Sequence, residues 1–274
     1  MKKVSLLFVI LILFAACKEA TTDKVLKEET SEKTEINENA TNNAFTQSME
    51  EAHQKEAFLK NDAVQYDFQV SFGGNVLLDA KITQKTDGSM VRIDNQDGTV
   101  ILADQDEVFS SPEIADNSMT RFHAYTWSYF FALPYKLNDP GTQWSDEKNL
   151  TFGEQQYPTS KLTFENGVGD TSDDWYVVYK NPSSNVLEGV AYIVSYGKGV
   201  EKAEEEPHFA KYNDYDMMEG IPVSTNWTFH NWNKEEGFTD QIGKASIKNV
   251  NFLDDASIMF EQNEEMVAVP MPTE

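Results

Sequence analysis

The chain has 274 residues, with 46 acidic against 22 basic and a formal net charge of −24. A surface this negative repels phosphate backbones, which excludes nucleic acid as a partner. A single cysteine, Cys17, excludes any intrachain disulfide and any paired-cysteine metal or redox motif.

Residues 1–16 read as a cleavable signal. Lys2 and Lys3 precede an apolar run, Val4 to Phe14, broken only by Ser5. The run falls short of the roughly 20 apolar residues that a membrane-crossing helix needs. It ends at Ala15-Ala16-Cys17, a junction that resembles the lipobox of bacterial lipoproteins. The resemblance implies cleavage before Cys17, diacylglycerol on its thiol and acylation of the freed amine. The membrane is then a partner through lipidated Cys17, since stable anchoring takes more than one acyl chain. The implied location is the cell envelope, at the periplasmic or surface-exposed face of the outer membrane. Lys18-Glu19 is similar to the short charged signals that direct some lipoproteins to the outer leaflet. Cleavage removes two lysines and leaves 46 acidic against 20 basic residues, so anionic headgroups would not recruit the domain without its covalent anchor.

Residues 17–44 are expected to form a disordered acidic tether. Lys18 to Ala44 holds no aromatic residue and is dominated by Glu, Thr, Asn and Lys. A flexible coil of this length would span on the order of 30 Å. One β-rich domain is expected over 45–262, followed by a polar tail, 263–274. Phe45 to Lys60 reads as a helix, with Ser48 and Glu51 as a capping box and Met49, Ala52 and Leu59 as a thin apolar stripe.

Val64, Tyr66, Phe68, Val70 and Phe72 then alternate with polar residues, the period of a strand with one dry and one wet face. Gly73-Gly74, Asp87-Gly88 and Asp97-Gly98 mark hairpin turns. Further strands are predicted at Val76–Ile82, Met90–Ile93, Thr99–Ala103 and Glu107–Ser110, which together form an antiparallel meander. Met119 to Ala132 interrupts it with an aromatic helix that Leu133-Pro134 ends; helical spacing puts Phe122, Tyr125 and Tyr129 on one side. Strands resume at Leu150–Phe152, Ser160–Phe164, Trp175–Tyr179 and Gly189–Tyr196. Residues 197–207 read as a charged loop, and Val223–Trp232 and Lys244–Phe252 supply the last strands. The class is mainly β with some α.

An initial helix, long antiparallel strands, an inserted aromatic helix and the turn Gly220-Ile221-Pro222 together resemble the LolA/LolB lipoprotein-carrier superfamily. The implied fold is a curved antiparallel half-barrel wrapped around one or two helices and an apolar cavity. Leu133-Pro134-Tyr135-Lys136-Leu137, Asp139-Pro140-Gly141, Leu162-Thr163-Phe164, Val168-Gly169-Asp170 and Trp175-Tyr176-Val177-Val178-Tyr179 resemble an uncharacterised family of Gram-negative lipoproteins, for which no activity is established. The cavity implied by the superfamily resemblance would be lined by Phe68, Phe72, Tyr125, Trp127, Phe130 and Trp175. It would hold a lipid or other apolar small molecule.

Catalytic signals are weak. Ser145–Lys148 and Ser195–Lys198 match SxxK, but the partner motifs of serine acyl enzymes are missing. GxSxG, HExxH and Walker sequences are missing too, and His53, His123, His208 and His230 are scattered. The acidic runs Asp104–Glu107 and Asp170–Asp174 lack EF-hand spacing. A non-enzymatic binding protein with no cofactor and no metal is therefore expected. The alternative is an interaction lipoprotein with a packed core, meeting an envelope protein or a glycan through its acidic surface and through Trp227 and Trp232 on an exposed strand.

Overall fold

The computed structural model describes residues 43–271. The expected signal, Cys17 and the tether as far as residue 42 lie outside the described residues, as do 272–274.

Helix α1 (Ala44–Ala52) is capped by Asn43, whose side chain accepts from the Phe45 amide at 2.9 Å. The expected capping box does not form, because Ser48 donates to the Phe45 carbonyl within the helix. The expected helix over 45–60 is also broken, at Gln54, which sits at φ 57°, and α2 (Lys55–Phe58) starts afresh. Met49 and Phe58 are both fully buried. On an unbroken helix of 3.6 residues per turn they would point to opposite sides; the break turns both inward.

Strands β1 (Ala63–Phe72), β2 (Asn75–Lys85), β3 (Met90–Asn95), β4 (Val100–Asp104) and β5 (Glu107–Ser110) form the first meander. The long helix α3 (Ser118–Ala132) follows. After it, β6 (Thr142–Trp144) and β7 (Lys148–Phe152) pair successively along β8 (Gln155–Phe164). β9 (Tyr176–Lys180), β10 (Leu187–Tyr192), β11 (His208–Met218), β12 (Ile221–Asn233) and β13 (Gly237–Leu253) complete the second meander. The short helix α4 (Val200–Ala203) lies within the expected charged loop. β13 pairs antiparallel with β1, joining both meanders into one sheet that β14 (Val267–Ala268) extends beyond β5. The order is β14-β5-β4-β3-β2-β1-β13-β12-β11-β10-β9-β8-β6, with β7 beside β8. The sheet stays open between its two end strands, and inward residues of both meanders share one core with α3.

Three expectations need correction. The polar tail 263–274 is in part structural: Val267 and Ala268 pair with Ser110 and Phe109, and Met266 and Val269 are buried. Their spacing among Glu and Pro shows no period. The outer sheet face is not uniformly wet either. Tyr157, Tyr179, Phe209, Trp232 and Phe238 form a second cluster there, and β7 reaches over it to stack Phe152 on Phe238 at 3.6 Å. Ala63, Leu102, Ala256, Phe260 and Met266 form a third cluster, which includes residues of the C-terminal segment. Finally, Trp227 and Trp232 are not exposed; they are only 1 % and 8 % accessible.

Candidate functional site

Asn117 caps α3 by accepting from the Met119 amide at 2.9 Å. Fifteen residues with no internal Gly or Pro then carry the helix through the concave side of the sheet. One side of it presses on the closed wall: Phe131 stacks on Tyr66 at 4.3 Å, and Trp127 lies 5.5 Å from Phe68 and 6.1 Å from Phe229. The side expected to carry Phe122, Tyr125 and Tyr129 does so, and these three are half-buried because they face a cavity of about 390 Å³. Val91 of β3, Ala103 of β4, Phe164 of β8, Tyr176 of β9 and Tyr192 of β10 form its walls. The cavity thus sits beside α3, between the two meanders.

Its rim is polar and cross-tied. Arg121, with a side chain only 4 % exposed, binds Asp170 of the β8–β9 loop through Nε and Nη2, the latter to Oδ1 at 2.8 Å. Nη2 also donates to the Asp106 carbonyl in the β4–β5 turn at 2.7 Å. One helix side chain therefore holds a loop from each meander. Tyr125 adds a bond from its hydroxyl to the Gln105 carbonyl at 2.9 Å. Burial of Arg121 opposes its charge, but the Asp170 carboxylate outweighs this and raises its pKa. Asp174 nearby is pushed up by burial, while the Ser195 amide and the Thr171 hydroxyl, each at 2.8 Å, stabilise its anion.

Of the residues expected to line a cavity, Tyr125 and Phe130 do. Phe68 and Trp127 lie in the packed core behind it, and Phe72 packs on Phe229 at 4.9 Å and across Gly243, where a Cβ would meet its ring at 2.6 Å. Trp175 is on the opposite face of the sheet, 6.1 Å from Trp232, with Nε1 donating to Glu204 at 3.0 Å. Parity explains this: Tyr176 and Val178 point inward, so Trp175 must point out. That same parity, applied consistently, would have found Tyr176 and Tyr192.

The serines of the two SxxK matches are engaged elsewhere, Ser145 with the backbone and Ser195 with the Asp174 carboxylate. Ser145 Oγ accepts from the Lys161 amide at 2.9 Å, and Ser195 is bonded through its amide to Asp174. His53 is pushed down to about 3 by burial, its Nε2 accepting from the Leu187 amide at 2.9 Å. Burial pushes His123 down to about 4, and its Nδ1 accepts from Trp127 Nε1 at 2.9 Å. Among the described residues no group of three or more His, Cys, Asp and Glu is arranged to hold a metal, and no helix is long and apolar enough to cross a membrane.

The architecture has known counterparts. A LolA superfamily protein from Nitrosomonas europaea superposes with a TM-score of 0.51 at 11 % identity, over 79 % of this chain and 97 % of that one. A DUF1329 family protein from Desulfovibrio piger gives 0.49 at 14 % identity, over 80 % and 98 % of the two chains. At such identities the likeness is one of fold, and the fold is LolA-like. No curated protein matches in sequence. Residues 2–238 match the model of a family of unknown function, DUF6503.

Proposed function

Since the chain belongs to that family, whose description assigns no activity, we propose from the geometry that it is a non-enzymatic binding protein that takes a lipid or similar apolar molecule into the cavity beside α3. The observation that carries this reading is the cavity itself. Its volume of about 390 Å³ and its walls of Phe122, Phe130, Phe164 and tyrosine rings match the size and character of sites that engulf small apolar ligands. Burial of ligand surface would drive capture at about 25 cal/mol per Å², and no covalent step is required. Lipidated Cys17 would hold this domain at the cell envelope on its acidic tether.

The test is to express the exported chain with Cys17→Ser, so that its own acyl chains are absent, and to examine it by native mass spectrometry and fluorescent fatty-acid titration. A co-purifying apolar molecule or saturable uptake of the probe, weakened by Phe130→Asp or Tyr176→Asp, is expected. Neither ligand nor uptake would leave the cavity without a role. The rival reading, in which Trp227 and Trp232 meet a partner from an exposed strand, gains no support from residues that are this deeply buried.

A further inference from the structure

Buried tyrosines in this domain divide by what their hydroxyls touch. Those of the packed core are bonded: Tyr66 donates to Gln84 at 2.9 Å, Tyr212 to the Phe130 carbonyl at 2.7 Å and Tyr215 to the Leu187 carbonyl at 2.7 Å. The three tyrosines shared by α3, β9 and β10 differ. The Tyr129 hydroxyl is buried with no partner, and burial raises the pKa of Tyr176 and Tyr192 with no hydrogen bond to offset it. All three line the cavity, with ring centroids 5.6 Å apart for Tyr129 and Tyr176 and 6.4 Å apart for Tyr176 and Tyr192. Buried polar groups are almost always satisfied, and a phenol left unbonded in an apolar site costs desolvation energy. The unbonded Tyr129 hydroxyl, with the Tyr176 and Tyr192 phenols beside it on the cavity wall, marks a place where the partner comes from outside the chain.

Charge narrows the chemistry of that partner. The cations of the lining are Arg121 and Lys136, set among Asp106, Asp170 and Asp174. Arg121 is paired to Asp170, and Lys136 is paired to Asp139 at 2.6 Å. A carboxylate or phosphate entering here would find its countercharges already engaged. The phenols themselves, kept protonated by burial, offer O–H donors to an uncharged oxygen.

We propose that Tyr129, Tyr176 and Tyr192 form a hydrogen-bonding subsite, and that the molecule bound is a neutral amphiphile with an ester, ketone or hydroxyl oxygen set against them. This rests on the cavity reading above and specifies its ligand: neither a bare hydrocarbon nor a free fatty acid fits as well.

The experiment is competition against a fluorescent dye on the exported chain with Cys17→Ser, using dodecane, dodecanol, methyl laurate and laurate. Dodecanol and methyl laurate are expected to bind about tenfold more tightly than dodecane or laurate, the scale of one or two buried hydrogen bonds. In the Tyr129→Phe/Tyr176→Phe/Tyr192→Phe variant that margin should shrink to within about threefold, with dodecane bound at least as tightly as by the parent. Undiminished dodecane binding also reports an intact fold and cavity, and each single Tyr→Phe change should remove part of the margin. Equal binding of dodecane and its oxygenated relatives, tightest binding of laurate, or a variant that weakens all four alike would overturn the subsite while leaving the cavity reading standing. If the dye and all four molecules fail to bind, the cavity reading falls and takes the subsite with it.

Discussion

On the closed side of α3 the rings of Phe68, Trp127 and Trp227 interlock, with centroid separations of 5.5 and 5.6 Å about Phe68. The Phe130 carbonyl, whose i+4 residue Pro134 has no N–H to donate, is bonded there by the Tyr212 hydroxyl. The open side is built from the same residue types, yet its rings stand around a cavity and the Tyr129 hydroxyl is unbonded. Aromatic side chains on two sides of one helix thus give a filled interior on one and a cavity on the other. Trp227 Nε1 on the filled side is also buried without a partner, so the two sides differ in packing: rings close the space on one and enclose a cavity on the other.

Acid should strain the packed side most. His53 and His123 are neutral when folded, with pKa values near 3 and 4 in place of 6.5. Because the folded values lie below the unfolded one, the unfolded chain takes up these protons first. Stability is complete above pH 6.5 and is lost as pH falls towards 4 for His123 and towards 3 for His53. Each imidazole costs about 1.4 kcal/mol per pH unit, so the two remove about 5 kcal/mol between pH 6.5 and 4.5. Urea unfolding at stepped pH should show this slope, and His123→Gln should reduce it by about 1.4 kcal/mol per unit.

Next in size is Trp127→Ala, which empties the centre of the packed side and should cost about 4 kcal/mol. Phe122→Ala, on the half-buried cavity side, should cost about 1 kcal/mol; equal losses would erase the contrast between the two sides. Arg121→Met removes the tie between the β4–β5 turn and the β8–β9 loop. It should cost about 2 kcal/mol and speed dye entry into the cavity in stopped-flow traces. The smallest effect sharpens the comparison best: Tyr212→Phe should lose about 1 kcal/mol, whereas Tyr129→Phe should lose nothing or gain slightly. A clear loss at Tyr129 in thermal melts would mean that its hydroxyl is bonded after all.

Much of the scaffold was readable from the sequence because strand alternation is local. β1, β2 and β5 appear close to where their side-chain period puts them, and α3 begins one residue before its predicted start. β11 escaped because Asp214, at φ 50°, interrupts the pleat between Asn213 and Tyr215, although the pairing with β12 keeps its register. Tyr212 and Tyr215 both join the core although their spacing is odd, which hides the alternation. The cavity was less legible. Which aromatic residues fill space and which enclose it depends on the distance between elements that are far apart in sequence. Arg121 and Asp170 stand 49 residues apart, and no periodicity connects them. Trp175 stands on the outer face for a simpler reason: it neighbours Tyr176, which points inward.

A strand of two residues has consequences beyond its size. An open sheet has two borders, and each unpaired border is a template on which a neighbouring molecule can add a strand. Val267 and Ala268 cover one of them at Phe109 and Ser110. At the other, the run from β6 to β7 is kinked around Ser145, whose carbonyl takes the Ser160 hydroxyl at 2.6 Å, so no long straight row of amides is presented. An unfinished barrel can in this way keep its slot available to a guest without polymerising with copies of itself.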